Sequence, residues 1–93
     1  MNFGQAIEAM KDGKKVGRSG WNGKGMYVCY KDGYPNGVPA NESHAKTHNM
    51  EVGELVKYQP YLEMRTAQNM FVPWLASQSD MLSNDWEIIK GEN

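Results

Sequence analysis

The sequence predicts a small α+β domain in which an N-terminal helix packs on an antiparallel sheet of about four to five strands. Three observations predict this fold class: a capped amphipathic pattern near the start, alternating apolar segments after residue 25, and a capping-box pattern at 77–80 that opens a short helical turn near the C-terminus. The chain has 93 residues, so we expect residues 1–93 to form a single domain.

Composition excludes several functional classes. The 10 basic and 11 acidic residues are scattered and give a net charge of −1, without the basic stripe that duplex nucleic acid requires. No apolar run approaches the roughly 18–20 residues of a membrane span, and no signal-peptide layout opens the sequence, so we expect a cytoplasmic protein. The single cysteine, Cys29, excludes an intrachain disulfide and a cysteine-cluster metal site.

Residues 2–13 have both ends of a helix specified. Asn2 can cap the helix, Gln5 occupies the third helical position of a capping box, and Gly13 can adopt the left-handed stop. The apolar face has helical spacing and consists of Phe3, Ala6, Ile7 and Met10.

Residues 16–25 contain four glycines and Trp21, which predicts a loop whose backbone approaches a ligand or another strand closely. The spacing matches neither a P-loop nor a dinucleotide-binding turn. The alternation over 25–31 predicts a strand that ends at the turn pair Asp32-Gly33.

Residues 34–53 show no sustained periodicity, which predicts a long variable loop with at most a short strand. Such a loop could cover a site, reach a neighbouring subunit, or be a tolerated insertion. His44 and His48 would share a face if the segment were helical, with Glu51 following. Because nothing else in the sequence supports a helix there, we predict no metal site.

From residue 55 onward, the sequence predicts a meander of strands. Residues 61–66 and 70–74 alternate around a short turn and predict a hairpin, with Pro73 confining its second strand to a sheet edge. Ser77 and Asp80 have capping-box spacing, and residues 86–90 predict a final strand.

Candidate catalytic residues are few. The serines lie in no nucleophile-elbow context, and neither histidine has a local nucleophilic partner. Asp80 and Asp85 could approach one another, but capping and turn roles explain them. We therefore predict a binding protein and no catalytic residues. Trp21 and Trp74, each beside loop-forming residues, could present aromatic faces to a planar ligand or belong to the core.

Three stretches resemble the phage anti-Thoeris cyclic-nucleotide sponge family. The most specific features are Gly-Trp-Asn-Gly-Lys-Gly and the Val-Pro-Trp-Leu-x-Ser-Gln-x-Asp run. The resemblance covers most of the chain, including both ends, but not residues 34–53. The matching stretches are residues 3–18, GWNGKGMYV at 20–28, and PYLEMRTA at 60–67 followed by VPWLASQSDMLSNDW at 72–86.

The resemblance implies an immune-evasion protein of a phage or prophage that acts in the host bacterial cytosol. Members of that family sequester cyclic ADP-ribose isomers made by a TIR-domain defence enzyme, without cleaving them and without a cofactor. They assemble as homotetramers with ligand pockets between subunits. Some also hold cyclic di- or trinucleotides at a separate site, and the resemblance leaves the choice of ligand open.

A ligand with an adenine and two linked phosphates needs aromatic stacking, polar partners for base and ribose, and N–H groups or a cation for phosphate. We predict stacking on Trp21 and Trp74, and charge compensation by either Arg18 or Arg65. Trp86 is predicted to be core. The remaining candidates are Asn22, Gln78 and Asp80 for base or ribose, and Gly23, Lys24, Gly25 and Ser77 for phosphate.

Two other functions stay open at the level of sequence. A protein-binding inhibitor of a host defence enzyme would act through its surface and leave the nucleotide free. A small enzyme that degrades the signal would release a product. The three readings differ in what happens to the nucleotide.

Overall fold

The computed structural model describes residues 1–90 and shows an α+β architecture. The strands form a five-stranded antiparallel sheet and a separate two-stranded sheet. In chain order the elements are α1 (Phe3–Lys11), β1 (Lys15–Arg18), β2 (Tyr27–Lys31), β3 (Tyr34–Pro39), α2 (Glu42–His48), β4 (Leu55–Tyr58), β5 (Tyr61–Arg65), β6 (Phe71–Pro73), α3 (Gln78–Leu82) and β7 (Trp86–Ile89).

The five-stranded sheet has the order β6-β5-β2-β1-β7, and α1 packs on it over β1, β2 and β7. The register pairs Val16 with Val28 and Val28 with Met64, so these side chains form a row across one face of the sheet. Ala6 and Met10 of α1 lie buried against this row. The sequence prediction of a helix on an antiparallel sheet of four to five strands is confirmed.

Both predicted helix caps are present. The Asn2 side chain accepts a hydrogen bond from the Gln5 backbone N–H, the Gln5 side-chain oxygen accepts one from the Asn2 backbone N–H, and Gly13 has a φ of 89°. The predicted hairpin of residues 61–66 and 70–74 forms from β5 and β6, and β6 is an edge strand, as Pro73 requires.

Two sequence interpretations were wrong. The glycine-rich segment predicted as a loop from residue 16 begins with β1, the strand between β2 and β7. Gly17 is buried in β1, and an added Cβ there would lie 3.2 Å from the Met26 carbonyl oxygen and 3.3 Å from Ile89 Cδ1. A side chain at this position would crowd both neighbours, so the glycine serves close packing inside the sheet.

Residues 34–53, predicted as a long loop with at most a short strand, contain β3 and α2. α2 is capped by Asn41, whose side chain accepts from the His44 backbone, and it ends at Asn49 with a left-handed φ of 54°. β4 pairs with β3 and not with the main sheet, so the meander predicted from residue 55 joins the main sheet only at β5.

We call residues 34–58, which comprise β3, α2 and β4, the arm, and the remaining described residues the body. No helix within residues 1–90 has the length and apolarity to cross a membrane.

Candidate functional site

The strongest polar cluster of the body joins the end of β1 to α3 and the residue before β7. Arg18 donates from Nη1 to Asp80 Oδ1 at 2.9 Å and from Nε to Asp85 Oδ1 at 2.8 Å. The other carboxylate oxygen of Asp85 accepts the Gly20 backbone N–H at 3.0 Å. We call Arg18, Asp80 and Asp85 the arginine–aspartate cluster. It fixes the start of the glycine-rich loop against α3.

Asp80 performs the capping role predicted for it and also binds Arg18. Its Oδ2 accepts the Ser77 backbone N–H at 3.0 Å, and its own backbone N–H donates to Ser77 Oγ at 3.0 Å. Burial would raise the pKa of Asp80, but hydrogen bonds from the Ser77 backbone, Arg18, the Ser77 hydroxyl and Trp21 outweigh it and lower that pKa. Asp80 is therefore an ionised carboxylate, and both of its oxygens accept hydrogen bonds from the protein.

The pKa values of Asp85 and Arg18 are also shifted in the direction that favours the charged form of each side chain. The hydrogen bond from Arg18 lowers the pKa of Asp85, and the bonds to Asp85 and Asp80 raise the pKa of Arg18. One guanidinium thus faces two carboxylates, which leaves the cluster with a formal charge of −1. Of the two arginines predicted to compensate the charge of a ligand phosphate, Arg18 is already paired with two carboxylates of the protein.

Four aromatic rings pack together next to this cluster. Trp86 is 2% exposed and donates from Nε1 to the Asp80 carbonyl at 2.8 Å, so its predicted core position is confirmed. Trp21 meets Trp86 edge-on with ring centroids 5.3 Å apart, and Trp74 meets Trp21 at 6.3 Å. Phe3 completes the cluster from α1. Trp21 and Trp74 are half-buried, so each combines a packed edge with exposed ring surface.

The second polar cluster lies at the other end of the glycine-rich loop. Arg65 donates from Nη1 to the Gly25 carbonyl at 2.8 Å and from Nε to Asn69 Oδ1 at 3.0 Å. Both acceptors are neutral. Gly25 has a φ of 73°, and a Cβ at this position would overlap Arg65 Nη1. At Gly23 an added Cβ would lie 2.8 Å from Ala67 Cβ, so the loop is held against the β5–β6 turn.

The structure therefore divides the sequence-predicted site residues between the two ends of one loop. One group surrounds the arginine–aspartate cluster, and the other surrounds Arg65. Asn22, Lys24 and Gln78 are exposed side chains that either group could use. The first group contains Arg18, Trp21, Trp74, Ser77 and Asp80, and the second contains Gly23, Gly25 and Arg65.

Two clefts lie elsewhere, and none of the sequence-predicted site residues lines them. One, of about 280 Å³, is lined by Tyr34, Tyr61 and the turn at residues 31–33. The other, of about 380 Å³, is lined by Tyr58, Tyr61, Glu63 and Pro73. Both lie where the arm meets the body. Their volumes fall near the lower end for small-molecule sites, which is roughly 300 Å³.

Sequence reasoning missed two features of these regions. Asp85 was interpreted as a turn residue, although its spacing from Asp80 and the scarcity of arginines were signals for a shared cation. The tyrosines at the base of the arm come from β3, β4 and β5 and belong to no common motif. Only the folding of the arm brings Tyr34 and Tyr58 to a centroid distance of 6.3 Å.

Within residues 1–90 no group of three or more histidine, cysteine, aspartate or glutamate side chains is placed to hold a metal ion. His44 and His48 do share a helix, with ring centroids 4.3 Å apart, and Tyr58 Oη lies 3.0 Å from His44 Nδ1. Cys29 is half-buried on β2, and burial raises the pKa of its thiol.

These features define a small α+β domain in which two arginine-centred clusters hold the glycine-rich loop beside two half-buried tryptophans. The chain belongs to the Thoeris anti-defense 2-like family, whose model matches residues 1–89. A curated relative, Thoeris anti-defense 2 of Bacillus phage SP01, is 34% identical over 92 residues, which cover 96% of this chain and 94% of that protein. The resemblance stated from sequence is thereby confirmed.

Proposed function

We propose that this chain is a phage-encoded anti-defence protein that sequesters a cyclic nucleotide immune signal without cleaving it. In this proposal it acts in the host bacterial cytosol as a homo-oligomer, the tetramer that the resemblance implies. It binds glycocyclic ADP-ribose isomers, and cyclic di- or trinucleotides are further candidate ligands. Removal of the signal leaves the Thoeris effector without its activator.

The observation that carries the proposal is the family match over nearly the whole chain. The geometry adds a physical reason. Sequestration requires tight equilibrium binding, which a preorganised site favours because fewer side chains must be ordered on binding. Packing between their rings already positions Trp21 and Trp74. The glycine-rich loop is restrained at one end by the hydrogen bond from the Gly20 backbone to Asp85 and at the other by the bond from Arg65 to the Gly25 carbonyl.

Arg65 is the better candidate for phosphate of the two arginines. Arg18 pairs with two carboxylates, whereas Arg65 donates to a backbone carbonyl and an amide oxygen, which are both neutral. Gly23 and Gly25 let the loop backbone approach closely beside it. We therefore assign phosphate to the Arg65 end of the loop. The aromatic end, where Asp80 would repel phosphate, is assigned to base and ribose.

The function is tested by calorimetric titration of the purified protein with glycocyclic ADP-ribose isomers, followed by heat release and chromatography of the ligand. Tight binding with intact recovery supports sequestration. Recovery of a cleaved product would show an enzyme. Absence of heat with those isomers and with cyclic di- and trinucleotides would exclude sequestration of these signals.

The second candidate is a protein-binding inhibitor of a host defence enzyme. The observation that favours it is the set of exposed apolar side chains, which a protein partner would cover. This function predicts that the chain co-purifies with the defence enzyme and that added nucleotide stays free in solution.

The aromatic site is tested by Trp21→Ala. We expect ligand affinity to fall by about 5-fold to 150-fold, because loss of one base-stacking ring removes about 1–3 kcal/mol. Trp86→Phe is the matched control, since Trp86 lies in the same cluster but is buried. We expect the control to lower thermal stability and retain affinity. An unchanged dissociation constant for a folded Trp21→Ala protein removes Trp21 from the site.

A further inference from the structure

The cleft of about 380 Å³ where the arm meets the body is separate from both arginine-centred clusters. It is lined by Tyr58, Tyr61, Glu63 and Pro73, and we call it the tyrosine–glutamate cleft. Its volume is within the range of small-molecule sites, which begins at roughly 300 Å³. The chemistry of a ligand for this cleft follows from these four side chains.

The backbone brings the four residues to one side of the main sheet. Met64 belongs to the core cluster under α1, and strand alternation turns Tyr61 and Glu63 to the opposite face. Pro73 of β6 is paired with Glu63 in the register. Tyr58 reaches the same cleft from the last position of β4. Two strands of the body and one strand of the arm therefore form the cleft.

Glu63 brings a negative charge into this cleft without a partner from the chain. Within residues 1–90 the ion pairs have Glu8, Asp80 and Asp85 as their acidic members. The side-chain carboxylates that accept hydrogen bonds there are those of Glu54, Asp80 and Asp85. Glu63 is nevertheless half-buried. A partly desolvated carboxylate is stabilised by an opposite charge, so the cleft favours a cation.

The other groups of the cleft select the kind of cation. Tyrosine rings attract cations to their faces, and Tyr58 and Tyr61 both contribute to the lining. A primary ammonium has three N–H donors that need acceptors. The Tyr58 hydroxyl already lies 3.0 Å from His44 Nδ1, which leaves Glu63 and the Tyr61 hydroxyl as acceptors among the lining side chains. A quaternary ammonium needs no acceptor, and its methyl groups can pack on the rings and on Pro73.

The same face of the sheet already holds one cation over a tyrosine ring. Lys15 Nζ lies 4.8 Å from the ring centroid of Tyr27. Tyr27 and Lys31 lie four residues apart on β2, and Lys31 is paired with Tyr61, so these side chains share one face. Lys31 lines the neighbouring cleft, and within residues 1–90 no ion pair joins it to Glu63. The tyrosine–glutamate cleft therefore offers rings and a carboxylate that no lysine of this face occupies.

We propose that the tyrosine–glutamate cleft is a second ligand site, which binds a small organic cation bearing a quaternary ammonium group. Glu63 supplies the counter-charge, and Tyr58 and Tyr61 supply ring surface for the methyl groups. The site goes beyond the proposed function, because it shares no residue with the predicted nucleotide-binding residues and requires no nucleotide.

The test is titration of the isotopically labelled full chain with choline, with backbone amide chemical shifts as the readout and sodium chloride as the blank. Two analogues of choline separate its charge from its methyl groups. Dimethylbutanol has a carbon in place of the nitrogen and is neutral, whereas ethanolamine keeps the charge and lacks the methyl groups. We expect saturable shifts in β5 and β6 with choline, and binding of each analogue weaker by at least about fivefold.

Two variants with matched controls locate the site. Glu63→Gln should weaken choline binding by at least about fivefold, because the counter-charge is lost. Glu87→Gln is its control, since Glu87 is exposed on β7, at the far edge of the sheet. Tyr61→Leu should weaken choline binding by a similar factor through loss of a ring. Tyr27→Leu is its control, because Tyr27 lines neither cleft. Both controls should retain the wild-type affinity for choline.

Four results overturn the proposal. They are the absence of saturable shifts with choline, equal binding of dimethylbutanol, equal binding of ethanolamine, and a folded Glu63→Gln protein with wild-type affinity for choline. If Glu63→Gln fails to fold, Tyr61→Leu decides in its place by the same criterion. The amide spectrum of each variant reports its folding in the same experiment.

Discussion

At the scale of single residues, a few side chains hold together segments that are distant in sequence. Arg18 joins β1 to Asp80 and Asp85, and Arg65 joins β5 to the glycine-rich loop. Both arginines make charge-assisted hydrogen bonds, which are stronger than hydrogen bonds between neutral groups.

The arginine–aspartate cluster should make stability depend on acid pH. The pKa values of Asp80 and Asp85 are lowered in the folded protein, so below the ordinary aspartate value of about 3.9 the unfolded chain binds more protons. This contribution is complete above that value and is lost as pH falls through the lowered values. We expect the melting temperature to decline below about pH 4 and Arg18→Ala to flatten that decline.

Melting temperatures between pH 2 and 7 provide the measurement. Lys11→Ala is the control, because its pair with Glu8 at 3.9 Å is exposed on both sides and should leave the profile unchanged. At neutral pH, Arg18→Ala should melt several degrees below the wild type, whereas Lys11→Ala should not. Identical pH profiles for wild type and Arg18→Ala would contradict the assigned pairing.

Gly25 can be tested against Gly13, since both have a positive φ, of 73° and 89°. Alanine at either position incurs backbone strain of about 1–2 kcal/mol. A Cβ at Gly13 meets nothing within 4 Å, whereas one at Gly25 overlaps Arg65 Nη1. We therefore expect Gly25→Ala to lose more stability in urea denaturation than Gly13→Ala, and to weaken ligand binding as well. Equal losses would show that Arg65 moves aside without cost.

At the scale of elements, α3 depends on its cap because it has only five residues, Gln78–Leu82. The capping box of Ser77 and Asp80 supplies hydrogen bonds that a helix of this length cannot replace internally. α3 also places Asp80 within hydrogen-bond distance of Arg18, and the Asp80 carbonyl accepts the indole N–H of Trp86. Loss of its cap should therefore loosen the aromatic end of the candidate site.

We expect Ser77→Ala to lower the free energy of unfolding by about 1 kcal/mol, the usual effect of removing a serine N-cap. Urea denaturation provides the measurement. Ser79→Ala, at an exposed position of the same helix, should change the free energy of unfolding by less than about 0.5 kcal/mol. A larger effect at Ser79 than at Ser77 would contradict the capping role.

At the scale of the whole molecule, the body and the arm should differ in local stability. The body contains the buried cluster of Met10, Val16, Val28, Met64 and Trp86, whereas the arm buries two alanines. Segments with few buried apolar contacts open at a lower free energy than the core. Hydrogen exchange can therefore report the arm separately from the main sheet.

We expect amides of β3 and β4 to exchange at least tenfold faster than those of β1 and β2, which are interior strands of the main sheet. Hydrogen exchange followed by mass spectrometry provides the measurement. Equal protection of the arm and the main sheet would show that the arm is as stable as the body.

The sequence by itself determined the elements whose signals are local. The caps of α1 and α3, the β5–β6 hairpin and the edge position of Pro73 all depend on residues within a few positions of each other. Local hydrogen bonding and backbone geometry suffice for these features, so a pattern in one segment predicts them. The motif match likewise predicted the family.

Only the tertiary structure decided the features that depend on distant residues. β1 is a strand because β2 and β7 flank it, although its own segment is rich in glycine. Arg18 meets its two carboxylates across 62 and 67 positions of sequence. The arm forms because β3 and β4 pair around α2. Long-range pairing and burial override local propensity, and no single segment carries their signal.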